Sequence, residues 1–340
     1  MGHPEPFNLK YLGIGNENKG PEFWERFDII YKEVQAKYPD IIVVSTAGSA
    51  ADGPEFNANM HEIDTKYQNT VVDEHYYRNN QWFYTNGDRY HSDKVRGADG
   101  LTYDRKRPTR VFVGEFANNS SNNDFASAMA EAAYWTSLER NSDMVVMAAY
   151  APLFCKKGFN KWNSNLIWFD NRGMWRTTNY YYQKLFSEAG NRAFPMTDVM
   201  NGTEVDKSIY ISPTINTETG EIYIKFVNSE AVDKELTIDM GKGQKKKTYT
   251  ATMDFISSHD TKVKNQGDQN TFAGAEPAQP TANQGGRPGG FGGFGGRGRN
   301  SVSYNEAVVP HTKELGNIRK QFTMTIPENS VGIIKLTPAK

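Results

Sequence analysis

The strongest constraint on the fold is a regular series of short apolar runs in the first half of the chain. Runs rich in β-branched and aromatic side chains fall at 11–15, 41–46, 71–77, 110–115 and 144–150. Each run begins roughly 30–40 residues after the previous one, which leaves room for a helix between consecutive strands. This alternation predicts βα units and a parallel sheet with crossover helices.

Three segments predict helices in this part of the chain. Pro21 suits the first turn of a helix, and the apolar residues after it recur at helical spacing. They are Phe23, Phe27, Ile30, Val34 and Tyr38. A second helix fits 124–139, with Asn123 or Asp124 as its N-cap, and a third spans roughly 178–188.

Five βα units do not complete a (β/α)₈ barrel, which needs eight strands and about 250 residues. We therefore expect residues 1–192 to be the C-terminal part of such a barrel, equivalent to its strands four to eight, in a chain cut from a longer protein. The alternative is a smaller open α/β sheet that is complete as it stands.

Residues 193–340 have a different pattern, in which polar and apolar side chains alternate over short segments. These segments are 208–211, 221–227, 234–238, 247–253, 321–326 and 331–336. Short two-period strands in series predict an antiparallel β-sandwich. A Gly-rich stretch at about 264–300 is expected to be a disordered insertion between two of its strands. Its Arg, Gly and Phe content leaves open a role in binding single-stranded RNA.

Composition excludes several classes of partner. The net charge of −1 gives no global field toward nucleic acid or an anionic membrane. No apolar stretch reaches the 18 residues that a transmembrane helix needs. The single cysteine, Cys155, cannot form an intrachain disulfide, so cysteine use does not indicate a compartment. The N-terminal residues have no signal-peptide pattern, and the location of the protein stays undetermined.

Two glutamates are candidate catalytic residues, because each stands at the end of a predicted strand. Glu17 follows the first run, and Glu115 closes the fourth. Barrel enzymes carry their active residues at the carboxyl ends of the strands, and a glycoside hydrolase needs two carboxylates. We predict Glu17 as acid/base and Glu115 as nucleophile, with Asn16 contacting a sugar hydroxyl. A surface glutamate beside a turn is the alternative for Glu17.

The segment 73–77, Asp-Glu-His-Tyr-Tyr, ends a third strand. Period-two alternation sends Asp73, His75 and Tyr77 to one side of the sheet. His75 and Tyr77 are therefore candidates for orienting a carboxylate or contacting substrate, with core packing as the alternative. A metal at His75 is disfavoured because no second histidine lies at ligand spacing, and we predict neither metal nor cofactor.

Two long polar and aromatic segments follow strand ends and are expected to border the site. The segment after the last strand carries Trp162 and Asn165, which are predicted to contact sugar, although tryptophans in such loops also pack against the rim. The segment 78–107 is expected to overhang the active face and shape the leaving-group side.

Four ordered motifs resemble glycoside hydrolase family 51, the α-L-arabinofuranosidases. They are 2–18, 73–77, 113–117, and 150–154 taken together with 165–170. The resemblance implies a retaining enzyme with a (β/α)₈ barrel and a C-terminal β-sandwich, acting on terminal α-L-arabinofuranosyl units of arabinoxylan or arabinan. It assigns Glu17 as acid/base and Glu115 as nucleophile, with Asn16, Tyr77 and Asn165 contacting the sugar or the nucleophile.

The resemblance also implies a secreted full-length protein and a possible homo-oligomer. The family's first three strands supply part of the sugar pocket, and this chain does not contain them. We therefore expect the isolated chain to be poorly soluble and inactive, because an open half-barrel exposes two sheet edges. The alternatives are another retaining barrel glycosidase, such as an endoglucanase or β-xylosidase, and a non-catalytic carbohydrate-binding derivative.

Overall fold

The computed structural model describes most of the chain. The described residues are 2–5, 7–91, 103–120, 123–171, 173–201, 203–241, 247–266 and 307–339. The insertion predicted at about 264–300 lies almost entirely outside these ranges. No helix in the described part of the chain has the length and apolar character needed to cross a membrane.

Five strands form a parallel sheet in the first half of the chain. They are β1 (Tyr11–Gly13), β2 (Ile42–Thr46), β3 (Val71–Arg78), β4 (Arg110–Asn118) and β5 (Val145–Tyr150). They pair in chain order, β1-β2-β3-β4-β5, and every pairing is parallel. All five predicted strands are thus confirmed, as a partial barrel. Because the strands are parallel, the residues at their carboxyl ends share one edge of the sheet.

Five helices accompany these strands. They are α1 (Pro21–Lys37), α2 (Gly53–Lys66), α3 (Asn80–Thr85), α4 (Phe125–Arg140) and α5 (Thr178–Ser187). The three helices predicted from the sequence are present, and α2 and α3 are additional.

The buried face of α1 differs in part from the predicted one. Trp24 and Phe27 are buried, and Tyr31 packs against the same core. These residues, spaced at i, i+3 and i+7, define the inner stripe of the helix. Ile30 lies outside that stripe and is 46% exposed, and Tyr38 lies beyond the helix end. The prediction that both belong to the buried face was wrong.

Helix α4 begins at a cap that the sequence left open between two residues. Asp124 is the N-cap, and its side chain accepts a hydrogen bond from the backbone N–H of Ser127 at 2.9 Å. Such a bond satisfies one of the unpaired donors of the first helical turn.

The second half of the chain is antiparallel. Its strands are β9 (Arg192–Ala193), β10 (Met200–Asn201), β11 (Glu204–Val205), β12 (Ile209–Ile215), β13 (Ile222–Asn228), β14 (Lys234–Asp239), β15 (Tyr249–Ser257), β16 (His311–Ile318), β17 (Gln321–Ile326) and β18 (Ser330–Pro338). A six-stranded sheet has the order β16-β15-β18-β13-β12-β9, and β14 pairs with β17 in a separate sheet. All six segments predicted from alternation form strands here.

The two antiparallel sheets share one hydrophobic core. Leu236, Met324 and Ile326 from β14 and β17 pack with residues such as Phe226 and Ile334 of the six-stranded sheet. This face-to-face packing is a β-sandwich. The fold class predicted from the sequence, a partial (β/α)₈ barrel followed by an antiparallel β-sandwich, is confirmed.

Helices α4 and α5 pack against the sandwich as well as the barrel part. Phe125 of α4 and Tyr182 and Phe186 of α5 share a buried cluster with Val227 and Val331 of the six-stranded sheet. Residues on the other side of α4 belong to the core of the parallel sheet. The predicted domain boundary near residue 192 stays a prediction.

A small three-stranded sheet follows β5. It consists of β6 (Phe154–Lys156), β7 (Ile167–Phe169) and β8 (Met174–Arg176). Trp168 of β7 and Trp175 of β8 are cross-strand partners in this sheet, and their buried rings stack with centroids 6.0 Å apart. The segment predicted as a simple loop after the last strand is therefore partly a sheet, and the connection from β6 to β7 carries Trp162 and Asn165.

Candidate active site

The turn after β1 presents Glu17 from an unusual backbone conformation. Gly15 has φ 89° and Glu17 has φ 52°, in the left-handed region that residues other than glycine rarely adopt. A side chain at Gly15 would meet Asn18 Oδ1 at 2.4 Å, and that oxygen accepts the N–H of Asn16 at 2.6 Å. The turn thus holds Glu17 in a strained conformation, a common feature of functional sites.

A β-bulge in β4 decides which way Glu115 points. Glu74 pairs with Val113, but the next pair is His75 with Glu115, so Gly114 is an extra residue. Without this shift, alternation would place Glu115 on the opposite face of the sheet from His75. Gly114 must be a glycine, because a Cβ there would lie 1.9 Å from Asp73 Oδ1.

Three strand ends bring the predicted catalytic residues together. His75 Nδ1 lies 2.7 Å from Glu17 Oε1 and 3.5 Å from Glu115 Oε2. One ligand-type atom from each of Glu17, His75 and Glu115 lies within 4.8 Å of the other two. The two carboxylates therefore lie close together beside the same ring nitrogen of His75.

As predicted from alternation, Asp73, His75 and Tyr77 of β3 lie on the same face of the sheet. Tyr77 donates its hydroxyl to Glu115 Oε2 at 2.6 Å, and His75 Nε2 lies 3.2 Å from Asp73 Oδ2. Glu74 and Tyr76 point to the other face, where their side chains hydrogen-bond to each other at 2.6 Å.

The ionisation of the site is dominated by His75 and Tyr77. Burial lowers the pKa of His75, but its hydrogen bonds to Asp73 and Glu17 and the charges of Asp73 and Glu115 outweigh burial and raise that pKa to about 9. Burial, reinforced by the hydrogen bond to Glu115, raises the pKa of Tyr77 well above its usual range. At neutral pH the imidazole is therefore charged, and the phenol is a proton donor.

The same charge bears on metal binding. Glu17, His75 and Glu115 offer three ligand-type atoms, and a metal would need the unprotonated imidazole. Because the pKa of His75 is raised, a metal at this nitrogen would have to displace a proton.

The remaining predicted contact residues lie at different distances from this pair. The ring of Trp162 meets Tyr77 edge-on, with centroids 4.4 Å apart, and is 38% exposed. Asn165 is buried, and its Nδ2 donates to the carbonyl oxygen of Trp162 at 2.6 Å. Asn16 is exposed in the turn before Glu17. Trp162 therefore borders the site, and Asn165 holds the connection that carries it.

The segment 78–107 does not place its large aromatics over the carboxylates. Tyr90 and Tyr103 are buried on the other face of β3, where their hydroxyls donate to Glu74 at 2.9 and 2.5 Å. Arg89 lies 3.0 Å from the same carboxylate. Tyr90 and Tyr103 therefore do not border the carboxylates, and the prediction that the segment overhangs the active face stays a prediction for residues 92–102, which lie outside the described part.

Sequence reasoning did not single out two residues of the site. Asp73 was noted only for its position in the alternation, yet it contacts the ring of His75. Gly114 was quoted only as part of a motif, and its importance depends on the bulge. The signal for both residues is the pairing of Asp73–His75 in β3 with Val113–Glu115 in β4, and it can be recognised only when the register between the two strands is known.

Paired carboxylates at the carboxyl ends of parallel barrel strands are the catalytic arrangement of glycoside hydrolases, and this is the class that the fold and the site define. Two family models match the chain. Residues 1–96 match the α-L-arabinofuranosidase 1 domain, and residues 101–288 match the α-L-arabinofuranosidase C-terminal domain. The chain belongs to the α-L-arabinofuranosidases of glycoside hydrolase family 51.

Curated relatives agree with this assignment. An extracellular exo-α-L-arabinofuranosidase of Streptomyces chartreusis is 42% identical over 197 residues, which is 57% of this chain and 22% of that protein. α-L-arabinofuranosidase 1 of Arabidopsis thaliana is 29% identical over 243 residues, which is 70% of this chain and 32% of that protein. The chain thus spans about a fifth to a third of the length of these relatives.

Solved structures share the fold along nearly the whole chain. An arabinose-bound family 51 α-L-arabinofuranosidase superposes with a TM-score of 0.68 at 25% identity, covering 99% of this chain and 47% of that one. The α-L-arabinofuranosidase of Thermotoga maritima, in complex with arabinose, gives a TM-score of 0.69 at 16% identity, covering 99% and 68%.

Proposed function

We propose that this chain carries the catalytic pair of a retaining α-L-arabinofuranosidase, which removes terminal non-reducing α-L-arabinofuranosyl residues from arabinoxylan- or arabinan-type glycans. The observation that carries the proposal is that one carboxylate oxygen of Glu17 and one of Glu115 lie within 4.8 Å of each other, both beside Nδ1 of His75. Retaining glycosidases hold their carboxyl groups about 5–5.5 Å apart, whereas inverting enzymes leave about 6.5–9.5 Å for a water molecule. The short separation favours retention.

In the first step Glu115 attacks the anomeric carbon. Tyr77 donates to Oε2 of Glu115, which leaves Oε1 free to form the bond to the sugar. Each catalytic carboxylate is about one-third exposed, at 34% for Glu17 and 32% for Glu115, so a furanose ring has access to both. Glu17 supplies the proton that the departing glycosidic oxygen needs.

In the second step water releases the sugar. Once Glu115 is esterified, its negative charge no longer opposes the charge on Glu17. Glu17, which gave its proton to the departing oxygen in the first step, acts as the base that takes a proton from the attacking water, and Glu115 leaves as a carboxylate.

We propose the surrounding residues as substrate contacts of different kinds. His75 and Tyr77 orient the carboxylates, and the partly exposed ring of Trp162 beside Tyr77 offers a surface for the sugar or its leaving group. Asn16, next to the acid, is proposed to bind a ring hydroxyl. Asn165 is proposed to contact the sugar or to act through the Trp162 connection. A homo-oligomer stays a prediction, which light scattering would test.

A panel of nitrophenyl glycosides tests the function and its closest alternatives. The isolated chain is expected to be inactive, so any release that is detected should be from the α-L-arabinofuranoside, above the level of Glu115→Gln, with none from β-xyloside or β-glucoside. Preference for either of the latter would replace the proposed activity by a xylosidase or glucanase assignment. Because the isolated chain is expected to turn over poorly, the second readout is covalent labelling by an epoxide analogue of α-L-arabinofuranose. The absence of both release and labelling would overturn the proposal.

A further inference from the structure

The small sheet β6-β7-β8 has a buried face and an exposed face. Its middle residues are cross-strand partners whose side chains are buried together, namely Cys155, Trp168 and Trp175. Because successive side chains of a strand point to opposite faces of a sheet, Phe154, Phe169 and Met174 point outward, and all three are exposed. The outer face of the small sheet is therefore apolar and accessible.

Cations accompany the exposed rings. Lys156 is on the outer face, and its Nζ lies 5.1 Å from the ring centroid of Phe159, which is 77% exposed. Lys161 is exposed in the connection from β6 to β7. No ion pair joins either lysine to a carboxylate of the described residues. Among the described residues of 151–176, four are Lys or Arg and one, Asp170, is acidic, although the net charge of the chain is −1.

The connection from β6 to β7 is fixed beside the candidate active site. Ser164 donates its hydroxyl to the carbonyl oxygen of Asn118, the last residue of β4. Trp162 meets the ring of Tyr77, and Tyr77 in turn donates to Glu115. The surface that carries the exposed rings and lysines is therefore held by the strand of the proposed nucleophile and begins at the proposed catalytic pair.

We propose that the outer face of the small sheet and the connection from β6 to β7 bind a polyuronate, a glycan main chain in which consecutive sugars carry carboxylates. Exposed rings offer surfaces for the apolar faces of sugars, and the lysines attract carboxylates. The inference rests on the proposed function, since it names the class of main chain whose arabinofuranosyl branches reach Glu17 and Glu115.

The charges favour this ligand over the other candidates. A second copy of this chain, docked through its own apolar face, would remove Lys156 and Lys161 from water without giving them a partner, which is costly. A neutral glycan could use the rings but not the lysines. A glycan with one carboxylate could pair with one lysine, whereas a polyuronate has a carboxylate for each. Because each exposed ion pair is weak, binding should depend on several pairs together with ring stacking.

Binding of glycan probes to the full 340-residue chain tests the surface without needing turnover. The probes are an end-labelled oligogalacturonide and the same oligomer after reduction of its carboxyl groups to alcohols, and fluorescence anisotropy gives the Kd of each. At low salt we expect the acidic probe to bind at least about fivefold more tightly, and the difference should shrink as ionic strength rises. Equal affinity for the two probes would contradict the proposal.

Substitutions of exposed side chains test where the acidic probe binds. Lys156→Gln combined with Lys161→Gln should weaken its binding at least about threefold, and so should Phe159→Ala. The matched control is Lys37→Gln combined with Tyr38→Ala, because Lys37 Nζ lies 5.7 Å from the exposed ring of Tyr38 at the end of α1. The control should bind as the parent does, and urea unfolding checks that all variants are folded. A loss of equal size in the control would remove the site from this surface.

Further outcomes distinguish other occupants. A xylo-oligosaccharide with a single uronate branch that binds as tightly as the oligogalacturonide would replace the polyuronate by a singly charged glycan. Self-association that is lost in Phe159→Ala, with probe binding unchanged, would assign the face to a second copy of the chain and overturn the proposal.

The proposed function is measured separately, by nitrophenol release and epoxide labelling. Preference for the acidic probe without release or labelling would contradict the proposed function and leave the glycan-binding surface. Labelling of Glu115 without that preference would support the function and overturn this inference alone.

Discussion

The two faces of β3 use carboxylates in opposite ways. On the core face Glu74 is completely buried, and Tyr76, Tyr90, Tyr103 and Arg89 all contact its oxygens. On the other face His75 is shared between acidic groups, one oxygen of Asp73 has no partner in the described residues, and the proposed catalytic pair, Glu17 and Glu115, is partly exposed.

The difference shows how one strand supports both structure and chemistry. A carboxylate surrounded by fixed donors and a buried cation has no reason to change its protonation, and it orders the segments that provide the donors. Carboxylates that share too few donors can exchange protons and bind a ligand. Adjacent residues, Glu74 and His75, therefore belong to different functional parts of the molecule.

The largest expected effects come from substituting one carboxylate on each face of the sheet, Glu115 and Glu74. Glu115→Gln removes the nucleophile and should lower kcat by at least about a thousandfold, while the unfolding free energy changes by less than about 0.5 kcal/mol, as for a partly exposed site. Glu74→Gln should do the reverse. It leaves Arg89 buried without its counter-charge and should lower the unfolding free energy by about 3–5 kcal/mol.

Urea unfolding and nitrophenol release, measured on both variants, test whether one variant loses activity and the other loses stability. A stable Glu74→Gln protein, or a Glu115→Gln protein that unfolds easily, would contradict the separation of the two faces.

A third buried carboxyl, Glu131 on α4, sharpens the comparison because no cation faces it among the described residues. It accepts hydrogen bonds from Asn118 N at 2.6 Å and Asn179 Nδ2 at 2.7 Å. Burial outweighs these bonds and raises its pKa to about 7. Between its ordinary pKa and pH 7, the folded state holds a proton that the unfolded state has released. Stability should therefore fall as pH rises through this interval, by up to roughly 3 kcal/mol.

Unfolding free energies at pH 5 and pH 7.5 test this prediction. Glu131→Gln should abolish the part of the decrease in unfolding free energy with pH that is due to this carboxyl, whereas Glu74→Gln should keep it. An unchanged slope in Glu131→Gln would show that the carboxyl is already ionised at pH 5.

The smallest expected effect is on kcat and distinguishes substitution of Tyr77 from substitution of its neighbour Tyr76. Tyr77→Phe removes the hydrogen bond to Glu115, and a hydrogen bond to a charged group is worth about 1.5–3 kcal/mol, so kcat should fall roughly 10–100-fold with little change in stability. Tyr76→Phe is the matched control, since its hydroxyl binds Glu74 on the other face. It should lower stability and leave kcat unchanged. Equal effects of the two variants on kcat would mean that the faces are not independent.

Much of the fold follows from local patterns in the sequence. The five parallel strands and six strands of the sandwich half have apolar or alternating segments that suffice to locate them. Helix α2 was not predicted, although its buried residues Phe56, Met60 and Ile63 recur at the i, i+4 and i+7 spacing of an amphipathic helix. Strand β16 was missed because it is an exposed edge strand without apolar alternation.

The site was only partly predictable. Glu17, Glu115, His75 and Tyr77 could be found as polar residues at strand ends, and the structure brings all four together. The roles of Asp73 and of the bulge at Gly114 depend on the register between β3 and β4, which no single segment specifies. The position at which Tyr90 and Tyr103 are buried likewise depends on their hydrogen bonds to Glu74, which is distant from both in sequence.

The most direct measurement of the central claim is covalent trapping with the arabinofuranose epoxide, followed by mass mapping of the labelled peptide. If both carboxylates act on one anomeric carbon, the label is on Glu115, is absent in Glu115→Gln, and forms more slowly in Glu17→Gln because the opening epoxide oxygen loses its proton donor. A label on another residue, or labelling of Glu115 at an unchanged rate without Glu17, would show that the two side chains do not share a substrate.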